Sequence, residues 1–100
     1  MKKYLIQVTS RGTEINPNFA GDVDVYVCGK GSLSNIDRTV RYDDYLIIEP
    51  IIQLLARDYG YATESAAKVG LAALKKSNDE ESKRYGFHTF EHEIVCVDLT

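Results

Sequence analysis

Three stretches of the chain have the pattern of β-strands: residues alternate between two faces in the first two, and the third contains a continuous run of apolar residues that favour strands. The stretches are residues 2–10, 23–28 and 87–99, and a short run at 39–42 predicts a further strand. The first stretch is apolar, in part, on both of its sides. The link at residues 11–22 is rich in Gly, Pro and Asn, which favour turns. We therefore predict that the first two strands form an antiparallel hairpin with a long tip.

A mostly buried helix is predicted next. Its polar residues recur every four positions, at Glu49, Gln53 and Arg57. Nearly all other residues in this segment are apolar, which is typical of a helix with one narrow solvated stripe. Gly60 marks its end. Its start has two interpretations: Pro50 at the first helical position, which we favour, or an N-cap at Asp43 or Asp44 with a kink at Pro50.

A second helix is predicted over residues 63–78. Thr63 is a suitable N-cap, and Asn78 can take the left-handed position that closes a helix. Residues 79–86 form either a charged turn or an extension of this helix. Small residues share one line of the helix, at Ala62, Ala66 and Gly70. They favour close packing on the sheet of the same domain, with a homodimer seam as the alternative.

The order of these elements, β-β-(β)-α-α-β, predicts the fold class. Strands and helices that are grouped along the chain are typical of α+β domains. We expect one domain over residues 1–100. It should have a small antiparallel or mixed sheet of three to four strands with two helices packed on one face.

Composition and charge narrow the range of functions. The net charge is −3, and residues 43–100 carry eleven Asp/Glu against six Lys/Arg. This balance argues against a general nucleic-acid binder, which is normally basic. The chain shows no signal peptide and no apolar run that could span a membrane, so a cytoplasmic location is expected. Cys28 and Cys96 are then predicted to be small buried thiols, which lie close together if their strands pair.

The sequence His-Thr-Phe-Glu-His at 88–92 matches the inverted zinc-protease motif. That motif requires a helix, in which the two histidines lie about 6 Å apart. Here His88 and His92 lead into a predicted strand, and four residues of strand separate them by about 13 Å. One zinc ion cannot contact both. We therefore predict no metal and no cofactor.

Other possible catalytic features are weak. Asp22 and Asp24, and likewise Glu91 and Glu93, place two carboxylates on one strand face, as magnesium nucleases do. Such pairs are usually solubilising surface groups. The glycines around Lys30 lack the spacing of a phosphate-binding loop. The sequence therefore predicts a protein without enzymatic activity.

The chain has seven tyrosines, and tyrosine is enriched in protein interfaces. Two of them flank a pair of aspartates at residues 42–45. An aromatic and acidic patch suits a basic partner, and the run at 79–81 is a further acidic segment. The predicted partner-binding residues are Tyr42, Asp43, Asp44, Tyr45, Asp79, Glu80 and Glu81.

The resulting hypothesis is a small protein-binding module, an inhibitor or adaptor that acts on a basic protein, one that handles nucleic acid for example. Phage and mobile-element genomes are rich in such modules, including inhibitors of host defence. The first alternative is a nucleic-acid-binding domain, which would use the basic residues Lys2, Lys3, Arg11, Lys30, Arg38 and Arg41. The second alternative is a metal-dependent hydrolase or nuclease. A protein partner is expected, with weak or no binding to nucleic acid and no membrane contact.

Overall fold

A computed structural model describes residues 1–41 and 48–99 of the chain. A single turn of 3-10 helix at Ile36–Arg38 precedes the third strand. The strands and helices in the described part follow the predicted order. They are β1 (Lys2–Gly12), β2 (Val23–Cys28), β3 (Thr39–Arg41), α1 (Ile48–Tyr59), α2 (Glu64–Tyr85) and β4 (His88–Asp98).

In this part of the chain the strands form one four-stranded antiparallel sheet in the order β3-β2-β1-β4. The predicted hairpin and the short third strand are confirmed, and the α+β class with them. β1 lies inside the sheet, with β2 on one side and β4 on the other. Its residue Val8 pairs with Tyr26 of β2 and with His92 of β4. One row of side chains therefore crosses three strands.

The two described helices pack on opposite faces of this sheet. Successive strand residues point to opposite faces, and both Leu5 and Ile6 of β1 are almost completely buried. Leu5 packs with residues of α1, whereas Ile6 packs with Leu74 of α2. The prediction that both helices lie on one face is therefore wrong. Because β1 is apolar on both sides, each side needs its own cover.

The described part of α1 starts at Ile48, so Pro50 lies within the helix and not at its first position. The other predicted start, at Asp43 or Asp44, lies outside the described residues. The exposed side of α1 is wider than the predicted polar stripe, because the apolar residue Leu54 is also 49% exposed.

α2 begins as predicted and ends later. The hydroxyl of Thr63 accepts a hydrogen bond from the N–H of Ala66 at 3.1 Å, which confirms the N-cap. The helix then continues through Asn78 to Tyr85, and Gly86 takes the left-handed closing position with a φ of 67°. The prediction that Asn78 closes the helix is wrong, and residues 79–85 are its extension. Within the described residues no helix has the length and apolar character needed to cross a membrane.

The line of small residues on α2 has a different contact from the one predicted. Ala62 and Ala66 are exposed, and the buried alanine of this region is Ala67. Gly70 packs against the ring of Tyr61, whose hydroxyl lies where a Cβ atom at this position would be. The small residue at position 70 therefore lets α2 pack closely on Tyr61, in the turn before the helix, and not on the sheet.

The two cysteines have different surroundings. Cys28 is 2% exposed beneath α2, as predicted, whereas Cys96 is exposed. Both are free thiols. They lie on either side of β1, which separates their strands, so the two thiols are not neighbours in the sheet. The prediction of a buried Cys96 is wrong because β4 is an outer strand.

The opposite placement of the helices predicts that two adjacent positions of β1 are equally sensitive to truncation. Leu5→Ala and Ile6→Ala should each reduce the free energy of unfolding by about 2–5 kcal/mol, because each leaves a cavity in a separate core. Leu54→Ala, on the exposed side of α1, should change it by only about 0.5 kcal/mol. Denaturant unfolding measures all three. A cost below about 1 kcal/mol for either β1 variant would show that one face of the sheet is not a core.

Candidate functional site

A polar contact joins the middle of α2 to the sheet. Asn78 is only 8% exposed and lies over the row formed by Tyr26, Val8 and His92. Its Nδ2 donates a hydrogen bond to Nε2 of His92 at 2.9 Å, and its side chain also bonds to the hydroxyl of Tyr26. Since Nε2 accepts, the neutral ring of His92 carries its proton on Nδ1. One helical side chain thus links two strands that do not touch each other.

The groups around this contact favour their neutral forms. Burial raises the pKa of Tyr26 to about 12, and Cys28 adds to the effect. Burial also lowers the pKa of His92. The negative charge of Asp79 raises this pKa, and the positive charge of Lys75 lowers it further. The pKa of the Cys28 thiol is raised by burial as well, which lowers its thiolate fraction at neutral pH. These groups are therefore poorly suited to nucleophilic chemistry near neutral pH.

Beside this contact a cleft opens between the C-terminal half of α2 and residues of all four strands. Its volume is about 450 Å³, and an adjoining hollow of about 430 Å³ extends it toward the hairpin tip. We refer to the two together as the α2 cleft. Its main lining residues are Asp24, Tyr26, Arg41, Glu81, His88 and Phe90, and the hollow adds Phe19 and Asp22.

The lining of the α2 cleft is acidic. Asp22, Asp24 and Glu81 contribute carboxylates, and Arg41 is the cation among the described lining residues. Nη1 of Arg41 lies 3.4 Å from Oδ2 of Asp24, and the Arg41 side chain is 64% exposed. Such a pair contributes little to stability because water screens it. The remaining carboxylates give the cleft an excess of negative charge.

Phe19 and His88 line the outer end of the cleft, and two further aromatic rings pack next to them. The ring centroid of Phe19, in the hairpin tip, lies 5.0 Å from that of His88 and 5.9 Å from that of Phe87. The ring of Tyr85, at the end of α2, stacks on Phe87 at 5.9 Å. The tip of the β1–β2 hairpin is thereby packed against the start of β4. Carboxylates and aromatic rings consequently occur together in one opening.

The structure divides the predicted acidic segment of α2. Glu81 lines the cleft. Asp79 and Glu80 instead border a shallow hollow on the outer side of the helix, among the lysines Lys75, Lys76 and Lys83. That outer surface is mixed in charge, so only Glu81 of this segment joins the acidic cleft. Tyr42, Asp43, Asp44 and Tyr45 lie outside the described residues, directly after Arg41 in the sequence.

The two histidines of the zinc-like motif lie in β4, which confirms their placement in a strand. They share the face covered by α2, whereas Glu91 points to the other face and forms an ion pair with Arg11 at 3.7 Å. Among the residues that the structure describes, no group of three or more His, Cys, Asp or Glu is arranged to hold a metal ion. The motif therefore lacks the geometry of a hydrolase site.

The carboxylate pairs that resemble magnesium ligands in the sequence contact side chains of neighbouring strands. Glu93 accepts a hydrogen bond from Nε2 of Gln7 at 2.8 Å, and Glu91 faces Arg11. Asp24 faces Arg41 across the edge of the α2 cleft. Asp24, Glu91 and Glu93 are thus each engaged by a cation or an amide of a neighbouring strand.

The basic residues of the nucleic-acid alternative do not form one surface. Lys2 and Arg11 are at opposite ends of β1, about 30 Å apart. Arg38 lies with its guanidinium 4.5 Å from the ring centroid of Tyr59 and donates from Nη1 to the carbonyl of Lys30 at 3.2 Å. Arg11 and Arg41 face carboxylates. Phosphate binding requires clustered free cations, and the described part of the chain does not gather them.

Several residues of the site escaped sequence reasoning. Phe19, His88 and Phe90 come together only through the pairing of β1 with β4. Asn78 carried a signal that could have been used: asparagine is unfavourable inside a helix, so its presence in a long helical stretch indicates a specific contact. The comparisons with protein-family models, curated proteins and solved structures found no match for this chain.

The lowered pKa of His92 predicts how stability depends on pH. The folded state binds the proton of this ring more weakly than the unfolded chain does. The contribution of neutral His92 to stability is therefore fully present above the pKa of the unfolded chain, about 6.5, and is lost as the pH falls below it. Melting temperature should therefore fall more between pH 7.5 and pH 5 in the wild type than in His92→Gln, which cannot titrate. His88→Gln is the matched control and should retain the wild-type profile. Identical profiles for the wild type and His92→Gln would contradict the role of the neutral ring.

Proposed function

We propose that the protein is a small non-enzymatic binding module whose α2 cleft receives a basic segment of a protein partner. The observation that carries this proposal is the excess of carboxylates in an opening that aromatic rings also line. Low-dielectric walls around charges of one sign strengthen the field in a cleft and attract ligands of the opposite charge. A lysine or arginine of the partner is the side chain that fits this chemistry.

The chain itself contains examples of both contacts that such a side chain would make. Arg41 places its guanidinium beside Asp24 at the mouth of the cleft. Arg38 places its guanidinium over the ring of Tyr59, the geometry of a cation–π contact. An incoming arginine can make the first contact with Glu81 or Asp22, and the second with Phe90 or Tyr26.

The predicted residues Tyr42, Asp43, Asp44 and Tyr45 extend the same chemistry along the sequence. They follow Arg41, which lines the cleft, and they combine rings with carboxylates. We propose that they contribute to the same partner contact. Steering by these charges raises the association rate, so binding weakens as salt is added.

The chemistry of the described residues supports binding over catalysis. His92 is engaged by Asn78, and the pKa values of Tyr26 and Cys28 are raised away from neutrality. None of the three is poised as a base or nucleophile near pH 7. The finer proposal, an inhibitor or adaptor such as a phage or mobile-element anti-defence protein, is supported only by the small size and acidic balance of the chain.

The sharpest test compares two adjacent glutamates of α2. Peptides selected from a random displayed library on the immobilised protein should be enriched in Lys and Arg. The best of them, resynthesised, should lose affinity about three- to tenfold in Glu81→Gln, because a partly exposed ion pair in the cleft is removed. Glu80→Gln removes the same charge from the outer side of the helix and should leave the affinity unchanged. Calorimetric titration measures both.

Melting temperatures of the two variants should match the wild type, which separates loss of binding from loss of fold. Selected peptides without basic enrichment, or equal losses in Glu80→Gln and Glu81→Gln, would contradict the role of the α2 cleft.

A second prediction concerns the residues after Arg41. The double change Asp43→Asn, Asp44→Asn should weaken binding of the same peptide and flatten its salt dependence, with the melting temperature nearly unchanged. If these aspartates only cap a helix, the variant should instead lose about 1 kcal/mol of stability and bind as the wild type does. Titrations at low and high salt, together with thermal unfolding, distinguish the two results.

A further inference from the structure

β4 is an outer strand with an uncovered side. It is eleven residues long and pairs along its whole length with β1. The sheet order places no other described strand beyond it. The opposite edge of the sheet is β3, whose described part, Thr39–Arg41, is short. A long outer strand presents a row of backbone donors and acceptors that can pair with another chain.

The backbone groups that face outward can be assigned from the pairing pattern. In an antiparallel ladder, residues alternate between those bonded to the inner neighbour and those facing away from it. Leu99 exchanges backbone bonds with Met1, and the N–H of Thr13 donates to Phe87. The odd-numbered residues of β4 therefore bond to β1. The outward groups belong to the even-numbered ones.

Both ends of this outer row are closed by side chains from the helices. Oγ of Ser82 in α2 donates to the carbonyl of His88 at 2.9 Å. Nε2 of Gln53 in α1 donates to the carbonyl of Asp98 at 3.0 Å. Between these two closed ends lie the outward N–H and C=O groups of Phe90, His92, Ile94 and Cys96. We refer to residues Phe90–Cys96 as the open segment of β4.

We propose that the open segment pairs antiparallel with the same segment of a second copy of this chain, with Ile94 on the twofold axis. The two sheets then form one continuous sheet. His92 lies opposite Cys96 of the second copy, and Ile94 lies opposite itself. These facing pairs use outward groups only and supply about six hydrogen bonds between the chains, two for each pair.

Charge selects this register among the neighbouring ones. An axis at His92 places Glu91 directly opposite Glu93 twice, and an axis at Glu93 places two Glu93 side chains opposite each other. Like charges in facing positions destabilise a strand pair. With the axis at Ile94, Glu93 faces Val95 and Glu91 faces Val97, so no two carboxylates are directly opposed.

The extent of the open segment argues against a further shift. An axis at Val95 makes His92 face Asp98, whose carbonyl already accepts from Gln53. The register with Ile94 at its centre places Asp98 opposite Phe90, at the end of the paired stretch, and leaves three pairs of free groups between the chains instead of two. A second copy is the favoured occupant because its open segment matches in length and backbone pattern, and because the register at Ile94 leaves no two carboxylates directly opposed. This surface is distinct from the α2 cleft, and the inference is independent of the proposed function.

The first experiment removes one outward donor. Ile94→Pro deletes an N–H that points away from β1, a position where an outer strand accepts proline, so the fold should persist. Ile94→Val keeps the N–H and is the matched control. Sedimentation over a concentration series up to about 0.5 mM covers weak interfaces of small area. The wild type and Ile94→Val should dimerise, whereas Ile94→Pro should remain a folded monomer by circular dichroism.

The second experiment tests the register without weakening the strand. In a Cys96→Ser background, Ile94→Cys places two thiols on the axis with Cα atoms about 5.5 Å apart, within the range of a disulfide. Mild oxidation should cross-link this variant far faster than Glu93→Cys in the same background. It should also cross-link faster than the wild type, whose Cys96 thiols would lie about 13 Å apart.

These results separate the outcomes. A wild-type protein that stays monomeric throughout the concentration series would overturn the proposal. A dimer that persists in Ile94→Pro, or that cross-links fastest through Glu93→Cys or native Cys96, would show that the copies meet through another surface or register and would also overturn it.

Discussion

The fold depends on the burial of β1 from both sides. Leu5 and Ile6 are consecutive residues, and each is almost fully buried. Because neighbouring strand residues point in opposite directions, no single layer of helices can cover both. α1 therefore covers one face and α2 the other, and β2 and β4 flank the strand within the sheet. This arrangement leaves β4 on the outside and sets where both proposed surfaces lie.

Asn78 then determines how α2 lies on its face. A helix packed only by apolar side chains could shift along the sheet at modest cost, since area burial is not directional. The hydrogen bond to His92, together with the contact to Tyr26, fixes the helix over one row of the sheet. Glu81 lies about one helical turn after Asn78 and lines the cleft. The contact that anchors the helix thus also places the acidic group that we assign to partner binding.

Local signals in the sequence were sufficient for the strands and for the start of α2. Alternation predicts β1 and β2, a continuous run of β-favouring residues predicts β4, and the hydroxyl of Thr63 predicts the N-cap. The predicted end of α2 is wrong because an asparagine such as Asn78 can either close a helix or act as a buried hydrogen-bonding group. Only tertiary contacts decide between them. The exposure of Cys96 was missed for a related reason, since the outer position of β4 follows from strand order and not from composition.

The candidate site was predictable only in part. Glu81 was expected at a partner surface, and the structure places it in the α2 cleft. Its neighbours Asp24 and Phe19 come from the hairpin, more than fifty residues earlier in the chain. Their proximity depends on antiparallel register, which single residues do not encode. The placement of both helices on one face was wrong because an apolar strand residue does not indicate which element covers it.

The most direct test of this account is amide hydrogen exchange resolved by residue in dilute protein. Strong protection is expected along β1 from Tyr4 to Gly12, for odd and even residues alike, because this stretch bonds to a neighbouring segment on both sides. Along β4 alternation is expected: Glu91, Glu93 and Val95 protected, and Phe90, His92, Ile94 and Cys96 exchanging rapidly. Uniform protection of all β4 amides in the dilute monomer would contradict this account, since another part of the chain would then cover that edge.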